Sequence, residues 1–179
     1  MEGLTIRPAI SSDVPELMAF DHSYSTDHVW QMEYRRLPEE VSAVFRQVRL
    51  PRPMRVTYPR DASRLADEWT RHAALLVAEA GGTRRGYLAL AAGTAPGSGW
   101  ITDLVVSLRD RRRGIGARLV GAAWEWCRPR GFCRLFIEMQ SKNYPALCLA
   151  RKLGFVFAGY SDQYYPSQDI ALFFSLGLD

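Results

Sequence analysis

A chain of 179 residues has the size of one domain, and a composition that is 47% hydrophobic and 23% charged is that of a globular protein rather than a disordered or fibrous one. Residues 1–13 lack the basic and apolar regions of a signal peptide, and no apolar run approaches the ~20 residues of a membrane span. We therefore predict a single domain over residues 1–179, located in the cytoplasm, with no membrane partner.

The net charge of +4 is carried mainly by arginine, because Lys142 and Lys152 are the two lysines among the 23 basic residues. Such a balance suits a polyanion, whether a nucleic acid or a phosphate-rich small molecule. The three cysteines are irregularly spaced, and no Cys or His pair has metal-ligand spacing. We expect neither a disulfide framework nor a metal site.

The first 71 residues predict a strand, a helix and then mixed segments. Residues 4–7 are typical of a strand, and Ser11, Ser12 or Asp13 can cap a helix that continues to residues 21–24. The next stretch alternates apolar and charged residues and holds three prolines, which favours short strands. We place these strands at residues 29–34, 41–50 and 55–58, and a short helix at residues 61–71.

From residue 74 the pattern predicts an antiparallel meander of strands at 75–79, 86–92 and 100–107. A helix at 114–128 follows, and then a strand at 132–138. That strand is so continuously apolar that both its faces must be covered, which indicates parallel pairing with the strand at 100–107. A helix at 143–153 and a hairpin of residues 155–160 and 169–176 complete an α+β fold with a mixed central sheet. The inward positions of the first of these helices are Ile115, Leu119, Ala122, Ala123 and Trp126.

A glycine-opened helix start follows the strand at 100–107. Residues 108–116 read LRDRRRGIG, so that three arginines precede Gly114 and Gly116. A helix N-terminus offers unpaired N–H groups and about half a positive charge, and glycines let a phosphate approach the backbone. Arginine adds forked donors for further phosphate oxygens. The stretch therefore predicts a pyrophosphate cradle.

Three other interpretations compete with the cradle. A solvated charge run accounts for the arginines but not for the glycines that open an apolar helix. A Walker A loop needs Gly-Lys followed by Ser or Thr, and the stretch holds no lysine. The dinucleotide fingerprint matches at Gly114 and Gly116, but its third glycine falls on Leu119, whose bulk holds helix and strand apart. A phosphate-rich small molecule remains the favoured ligand, and we expect no nucleic-acid partner.

The same residues resemble the GNAT superfamily of acetyl-CoA-dependent N-acetyltransferases. Residues 111–116 (RRRGIG) are similar to its Arg/Gln-x-x-Gly-x-Gly/Ala signature, and residues 102–106 (TDLVV) are similar to the strand before it. In a second block, Asn143 and Ala146 open a helix that closes on Leu-Gly-Phe at 153–155. The tail, residues 159–176, most resembles the streptothricin-type acetyltransferases of that superfamily.

The resemblance implies a GNAT fold in which the parallel strands at 100–107 and 132–138 splay apart and hold the pantetheine arm of acetyl-CoA between them. Asn143 would bond that arm, although an asparagine here equally suits a helix cap. The residues implied in binding acetyl-CoA are Leu104, Val105, Val106, Arg111, Arg112, Arg113, Gly114, Ile115, Gly116, Ala117, Arg118, Asn143 and Ala146.

The resemblance also implies direct attack of a primary amine on the thioester. An alkylamine with a pKa of about 10.4 arrives as an ammonium, so that a base is needed. Asp103 and Glu138, one on each splayed strand, are the candidates, while Asp103 equally suits cation binding and Glu138 a peripheral salt bridge. The family often has a tyrosine acid where this chain has Ala150, and Tyr164 or Tyr165 could replace it.

In the family, the acceptor lies between the first helices and the terminal hairpin. Asp21, His28, Trp30 and Tyr165 fall in these regions, and their acidic and aromatic side chains suit a small cationic amine. Acetylation of a protein N-terminus or lysine stays an alternative. A non-catalytic acyl-CoA sensor is a second alternative, which Ala150 motivates. Monomer and homodimer both remain open.

Overall fold

The structure is a computed structural model that describes residues 3–178. Within that range the chain forms nine β-strands and four α-helices. The strands are β1 (Thr5–Pro8), β2 (Tyr24–Leu37), β3 (Glu40–Val56), β4 (Ala74–Ala80), β5 (Thr83–Ala92), β6 (Ser98–Val106), β7 (Arg134–Gln140), β8 (Val156–Ser161) and β9 (Ala171–Gly177). The helices are α1 (Val14–Met18), α2 (Leu65–Glu68), α3 (Ile115–Cys127) and α4 (Tyr144–Lys152).

Seven strands form one mixed sheet in the order β1-β4-β5-β6-β7-β9-β8. Strands β4, β5 and β6 are an antiparallel meander, and β6 pairs with β7 in parallel across the crossover helix α3. The predicted α+β class, the meander and the parallel pair are therefore confirmed. The terminal hairpin β8–β9 also forms. Strand β9 lies inside the sheet, between β7 and β8, and β8 is the edge strand.

The sheet is covered on both faces, and each face has its own apolar core. The larger core joins the sheet to α3 and α4, and the smaller joins it to α1 and α2. Of the predicted inward positions of α3, Ile115, Leu119 and Ala123 are buried. Trp126 instead flanks the core, where it stacks on Phe132. Ala122 packs at the margin, and Val120 and Cys127 complete the buried face.

The second sheet is a long hairpin of β2 and β3, where we had predicted three short strands. Its register moves from Thr26 opposite Met54 to His28 opposite Arg49, so that residues 50–53 fall outside the regular pairing. Those four residues include Pro51 and Pro53, which have no N–H to donate to a ladder. A bulge therefore absorbs the prolines that had indicated a break.

The first helix is shorter than predicted, since α1 ends at Met18 and residue 24 already begins β2. Residues 19–23 form neither helix nor strand, and two of their carbonyls accept hydrogen bonds from a side chain that is distant in the sequence. Arg111 donates to the carbonyls of Asp21 and Ser23, at 2.7 Å each. The predicted helix at 61–71 is reduced in the same way to a 3-10 turn followed by α2.

Among the described residues, the longest helix has 13 residues, and none is long and apolar enough to cross a membrane.

Candidate active site

The parallel pair β6–β7 comes apart halfway along β6. Pairing runs from Ser98 opposite Arg134 to Ile101 opposite Ile137, and it ends there. Beyond that point β6 stays paired with β5, and β7 stays paired with β9 to the end of each strand. The two strands therefore diverge, and β6 has an open edge from Thr102 to Val106.

The gap opens into a cleft of about 390 Å³ between the two strands, the start of α3 and helix α4. Arg113 and Arg118 do not line this cleft. The other predicted cofactor residues do line it, namely Leu104, Val105, Val106, Arg111, Arg112, Gly114, Ile115, Gly116, Ala117, Asn143 and Ala146.

Thr102 is an extra residue in β6, because Ala89 of β5 pairs with Asp103 and Leu90 pairs with Ile101. The Thr102 carbonyl accepts a hydrogen bond from Nη1 of Arg60 at 2.8 Å. The Val106 carbonyl accepts one from Nε of Arg111 at 3.0 Å. Alternate residues of a strand turn their peptide groups to the same edge. Leu104, which lies between Thr102 and Val106, therefore presents its N–H and C=O to the gap.

Helix α3 begins at the mouth of the cleft. Gly114 precedes it with a φ of +85°, a left-handed conformation that glycine adopts without strain. The Arg118 N–H makes the first helical bond, to the Gly114 carbonyl at 3.1 Å. The N–H groups of Ile115, Gly116 and Ala117 consequently precede the helical ladder and have no acceptor inside it. Such N–H groups, together with the helix dipole, are suited to binding an anion.

The arginines of this region serve different purposes. The Arg111 guanidinium donates to three backbone carbonyls, those of Asp21, Ser23 and Val106, and burial lowers its pKa. Arg118 donates to the Leu4 carbonyl at 2.7 Å, and Arg113 lies 3.5 Å from Asp110. Arg112 is exposed and lines the cleft. Of the three arginines predicted to bind phosphate, Arg112 is thus exposed at the cleft, whereas Arg111 is bonded to the segment before β2 and Arg113 does not line the cleft.

Helix α4 forms the opposite wall. Asn143 caps it by accepting the Ala146 N–H at 3.2 Å through Oδ1, so that the carboxamide nitrogen is the group left for a ligand. A Cβ atom placed on Gly116 would lie 3.2 Å from Cδ2 of Leu149. Glycine at 116 therefore lets α3 and α4 approach each other closely above the cleft.

Glu138 is a buried carboxylate of the cleft, with 8% of its surface exposed. Arg60 pairs with Oε1 through Nη2, and the Tyr164 hydroxyl donates to Oε2 at 3.3 Å. Burial raises the pKa of Glu138, and the charge of Arg60 offsets part of that rise. The salt bridge is therefore internal to the cleft and not peripheral. A carboxyl group with a raised pKa is suited to receiving a proton.

Asp103 lies on the other side of Arg60, where it lines a second pocket of about 220 Å³ and not the cleft. Its carboxylate accepts from the Tyr58 hydroxyl at 2.6 Å and from the Thr102 hydroxyl at 3.1 Å. The Arg60 Nη1 atom is 3.9 Å from Oδ1. The two candidate carboxylates thus flank one guanidinium.

The tyrosines near Glu138 differ in burial. Tyr165 is 4% exposed, lines the cleft and has the Arg60 guanidinium 5.5 Å from its ring centroid. Tyr164 is 44% exposed. Burial raises the pKa of both hydroxyls, which stay protonated near neutral pH. Ala150 is buried in the larger core and does not line the cleft.

Three residues expected at the acceptor side lie elsewhere. Asp21 pairs with Arg55 at 2.7 Å, and the His28 ring packs 4.6 Å from that of Tyr144. Trp30 packs among phenylalanines of β3, β8 and β9. None of the three lines the cleft or the second pocket. His28 and Trp30 lie on β2, which pairs with β3 in the second sheet and not with the main sheet, and the proposed acceptor site includes none of the three residues.

The cleft also contains residues that the sequence motifs did not identify. Arg60 and Tyr58 come from the loop after β3, and Tyr24 donates its hydroxyl to Gln140 at 2.8 Å. His22, which the sequence did place in the region expected to bind the acceptor, lines the cleft beside Tyr87, with its Nε2 atom 3.0 Å from that hydroxyl, and burial lowers its pKa. Gln140 did carry a signal, since it stands two residues after Glu138 on the same face of an apolar strand.

The splayed strands, the bulge and the start of α3 all lie within the part of the chain that matches a known family. Residues 41–155 match the model of the acetyltransferase (GNAT) family, which is more than half of the chain. The chain belongs to the GNAT family of acetyltransferases. The predicted fold and enzyme class are therefore confirmed.

Known relatives lie in the same family. A streptothricin acetyltransferase from Streptomyces lavendulae is 35% identical over 65 residues, which are 36% of this chain and 34% of that protein. The uncharacterized N-acetyltransferase YobR from Bacillus subtilis (strain 168) is 30% identical over 59 residues, or 33% of this chain and 24% of that one. The alignments thus span about a third and a quarter of these curated relatives.

Two solved structures share the fold over almost the whole chain. A nourseothricin acetyltransferase has a TM-score of 0.83 at 23% identity, with 99% of each chain covered. A putative streptothricin acetyltransferase from Bacillus anthracis str. Ames, solved in complex with acetyl coenzyme A, has a TM-score of 0.75 at 19% identity, covering 98% of this chain and 99% of that one. At these identities the likeness is one of fold.

Within residues 3–178, no three His, Cys, Asp or Glu side chains gather as a potential metal site.

Proposed function

We propose that this GNAT chain transfers the acetyl group of acetyl-CoA to a primary amine of a small cationic molecule, as one domain over residues 1–179. One observation carries the proposal, namely that the buried carboxylate of Glu138 lies across the gap from the open edge of β6. A thioester held along that edge would have a base beside it. The single-domain assignment is supported by the two cores, which cover the two faces of one sheet.

The residues that line the cleft support binding of acetyl-CoA, which would supply an activated acetyl thioester when it is bound. The N–H groups of residues 115–117 and the guanidinium of Arg112 would hold the phosphates. Leu104 would pair its peptide groups with the pantetheine arm, and its N–H would polarise a carbonyl laid along β6. Asn143 would donate from the opposite wall through its carboxamide nitrogen.

Glu138 is the proposed general base. An ammonium with a pKa of about 10.4 must lose a proton before nitrogen can attack, and a carboxylate with a raised pKa accepts that proton more readily than an ordinary one. Tyr164 donates a hydrogen bond to Glu138 and thereby orients it. The departing thiolate, with a conjugate pKa of about 8.5, is a fair leaving group even though Ala150 supplies no acid.

A cationic acceptor suits the two carboxylates that lie where the cleft meets the second pocket. The two cavities meet at Tyr58, Arg60 and Thr102, and each has a carboxylate beside that junction, Glu138 on one side and Asp103 on the other. Aromatic faces add cation–π contact. Streptothricin and nourseothricin, the compounds named for relatives of this chain, are the first acceptors to test.

The test is calorimetry with coenzyme A, followed by thiol release from acetyl-CoA with a panel of streptothricin, nourseothricin, polyamines, and N-terminal and lysine peptides. We expect coenzyme A to bind and a small cationic amine to release thiol. Release with peptides alone would favour the protein-acetylating alternative. Tight binding of coenzyme A without release by any amine would favour the sensor alternative, and no binding would overturn the proposal.

A further inference from the structure

The guanidinium of Arg60 lies at the junction of the cleft and the second pocket. It pairs with Glu138 on β7 and donates to the Thr102 carbonyl on β6 at 2.8 Å. Asp103 is 3.9 Å away, and the ring centroid of Tyr165 is 5.5 Å away. Two carboxylates, a carbonyl oxygen and an aromatic face surround one cation. We call these four groups the cation cage.

The Arg60 side chain reaches the cage from a loop that is not part of the sheet. Arg60 belongs to the connection of residues 57–61 between β3 and the 3-10 turn before α2, which forms neither strand nor helix. All four groups of the cage belong to other segments of the chain. The loop can therefore withdraw the guanidinium without disrupting a strand or a helix.

The net charge of the cage is negative when both carboxylates are ionised, so that the cage can accept a second cation or exchange Arg60 for another one. Asp103 and Glu138 carry two negative charges when both are ionised, and Arg60 supplies one positive charge. His22 and His72 lie nearby, but burial lowers the pKa of each, and both are neutral near pH 7. A buried carboxylate without a partner is costly, so that one cation must replace another as it leaves.

We propose that the cation cage is the binding site for the acceptor ammonium, and that Arg60 is an internal cation that the acceptor displaces. This inference rests on the proposed function. The groups that hold Arg60 are those that a primary alkylammonium requires, namely the acceptor oxygens of carboxylates and a carbonyl together with an aromatic face. An ammonium in this position lies beside Glu138, the proposed base. Neutral acceptors cannot displace Arg60, which makes the residue a determinant of specificity for cations.

The test replaces Arg60 with alanine and, as a matched control, Arg46 with alanine. Arg46 also pairs with one glutamate, Glu33, but it lies on the exposed part of the hairpin. Removal of the internal cation ends the competition. We expect the KM for the cationic acceptor to fall roughly tenfold in Arg60→Ala, as expected for close charge pairs. The Arg46→Ala variant should keep the wild-type KM.

A second measurement needs no turnover. Methylguanidinium should fill the emptied cage, raise the melting temperature of Arg60→Ala and inhibit that variant competitively against the acceptor. Both effects should be much weaker in the wild-type protein and in Arg46→Ala, where methylguanidinium must first displace Arg60. If acetyl-CoA still binds but methylguanidinium leaves Arg60→Ala unchanged, the displacement proposal fails while the proposed function stands. An increase of KM in Arg60→Ala would also overturn it.

Arg60→Lys keeps the inference testable if the alanine variant does not fold. A lysine ammonium is a point charge that cannot donate in a fork to Glu138 and Thr102, so that it should compete less well than arginine. We expect a KM for the cationic acceptor below that of the wild type. An unchanged or higher KM in folded Arg60→Lys would contradict the displacement of Arg60.

Discussion

Glu138 and Asp103 stand close to the same guanidinium but in different surroundings. The Glu138 side chain is 3% exposed and faces the cleft, whereas the Asp103 side chain is 13% exposed and faces the second pocket with two hydroxyl donors. Hydroxyl donors stabilise the charged form of a carboxylate, and burial disfavours it. We therefore propose that Glu138 takes the proton and that Asp103 binds the cation.

This division predicts different kinetic effects for two matched amide variants. Glu138→Gln should lower kcat by about 10²- to 10⁴-fold with unchanged affinity for coenzyme A, because an amide cannot take the proton. Asp103→Asn should mainly raise the KM for the cationic acceptor. Steady-state kinetics together with calorimetry for coenzyme A measure both effects. Equal losses of kcat in the two variants would contradict the division.

The pH profile provides a second check on the same residue. A base is active when it is ionised, and burial raises the pKa of Glu138. Activity should therefore fall on the acidic side at a pH above the ordinary glutamate pKa of about 4.3. That acidic limb should be missing from the residual activity of Glu138→Gln.

Both carboxylates could be named from the sequence, because each stands on a strand that the family pattern aligns. Arg60 could not be named, because it follows Pro59 in a loop without a motif. Its role depends on partners 42 and 78 residues away along the chain. A pattern of neighbouring residues cannot predict a contact over such a distance in the sequence.

At the scale of the element, α3 contains two glycines in different environments. A Cβ atom on Gly116 would lie 3.2 Å from Leu149 of α4, whereas one on Gly121 would meet nothing within 4 Å. Both positions are helical, so that alanine has the better intrinsic propensity at each. Alanine variants at the two positions therefore distinguish the effect of helix propensity, which both share, from the effect of packing against α4, which only Gly116 has.

We predict that Gly121→Ala raises the free energy of unfolding by about 1 kcal/mol and leaves the affinity for coenzyme A unchanged. Gly116→Ala should gain less stability and should weaken coenzyme A binding, because the added methyl group pushes α4 away from the cleft. Urea denaturation and calorimetry measure the two quantities. Equal effects of the two variants on affinity would contradict a packing role for Gly116.

The hairpin β2–β3 is the element that the sequence described least well. Its prolines indicated a break, yet a four-residue bulge carries them, and the ladder resumes beyond it. What fixes the hairpin is packing at a distance, since Trp30 and Phe45 contact Phe157 on β8. Local propensity predicted strands here but could not decide their length or their pairing.

At the scale of the whole molecule, the buried carboxylate of Asp13 fastens the N-terminal region to the sheet. It accepts from Arg7 of β1 at 2.6 and 2.9 Å and from Arg84 of β5 at 2.7 Å, and its side chain is fully buried. It also accepts the Ile10 N–H at 2.8 Å. The hydrogen bond from Arg7 is the main reason that the pKa of Asp13 lies well below its usual range.

We predict that Asp13→Ala lowers the free energy of unfolding by about 3 kcal/mol at pH 7, because both arginines lose a buried partner. The folded-state pKa of Asp13 is lowered, so its contribution is complete above the unfolded-state pKa of about 3.9 and is lost as the pH falls further. The difference in the free energy of unfolding between the wild type and Asp13→Ala should therefore become smaller below that pH. Urea denaturation across the pH range measures it.

The matched control is Glu33→Ala, which removes an ion pair whose two side chains are about two-thirds exposed. A loss below about 1 kcal/mol is expected there. A similar loss in the free energy of unfolding for Asp13→Ala and Glu33→Ala would indicate that burial does not strengthen the ion pairs of Asp13.

The sequence by itself determined the class of fold, the parallel crossover and the family, because these follow from apolar periodicity and from two short blocks of neighbouring residues. The tertiary structure alone decided which arginine faces the cleft, which carboxylate is buried and which cation lies between the two. Hydrogen-bond partners and desolvation depend on atoms brought together from distant parts of the chain, and the order of residues does not specify these locally.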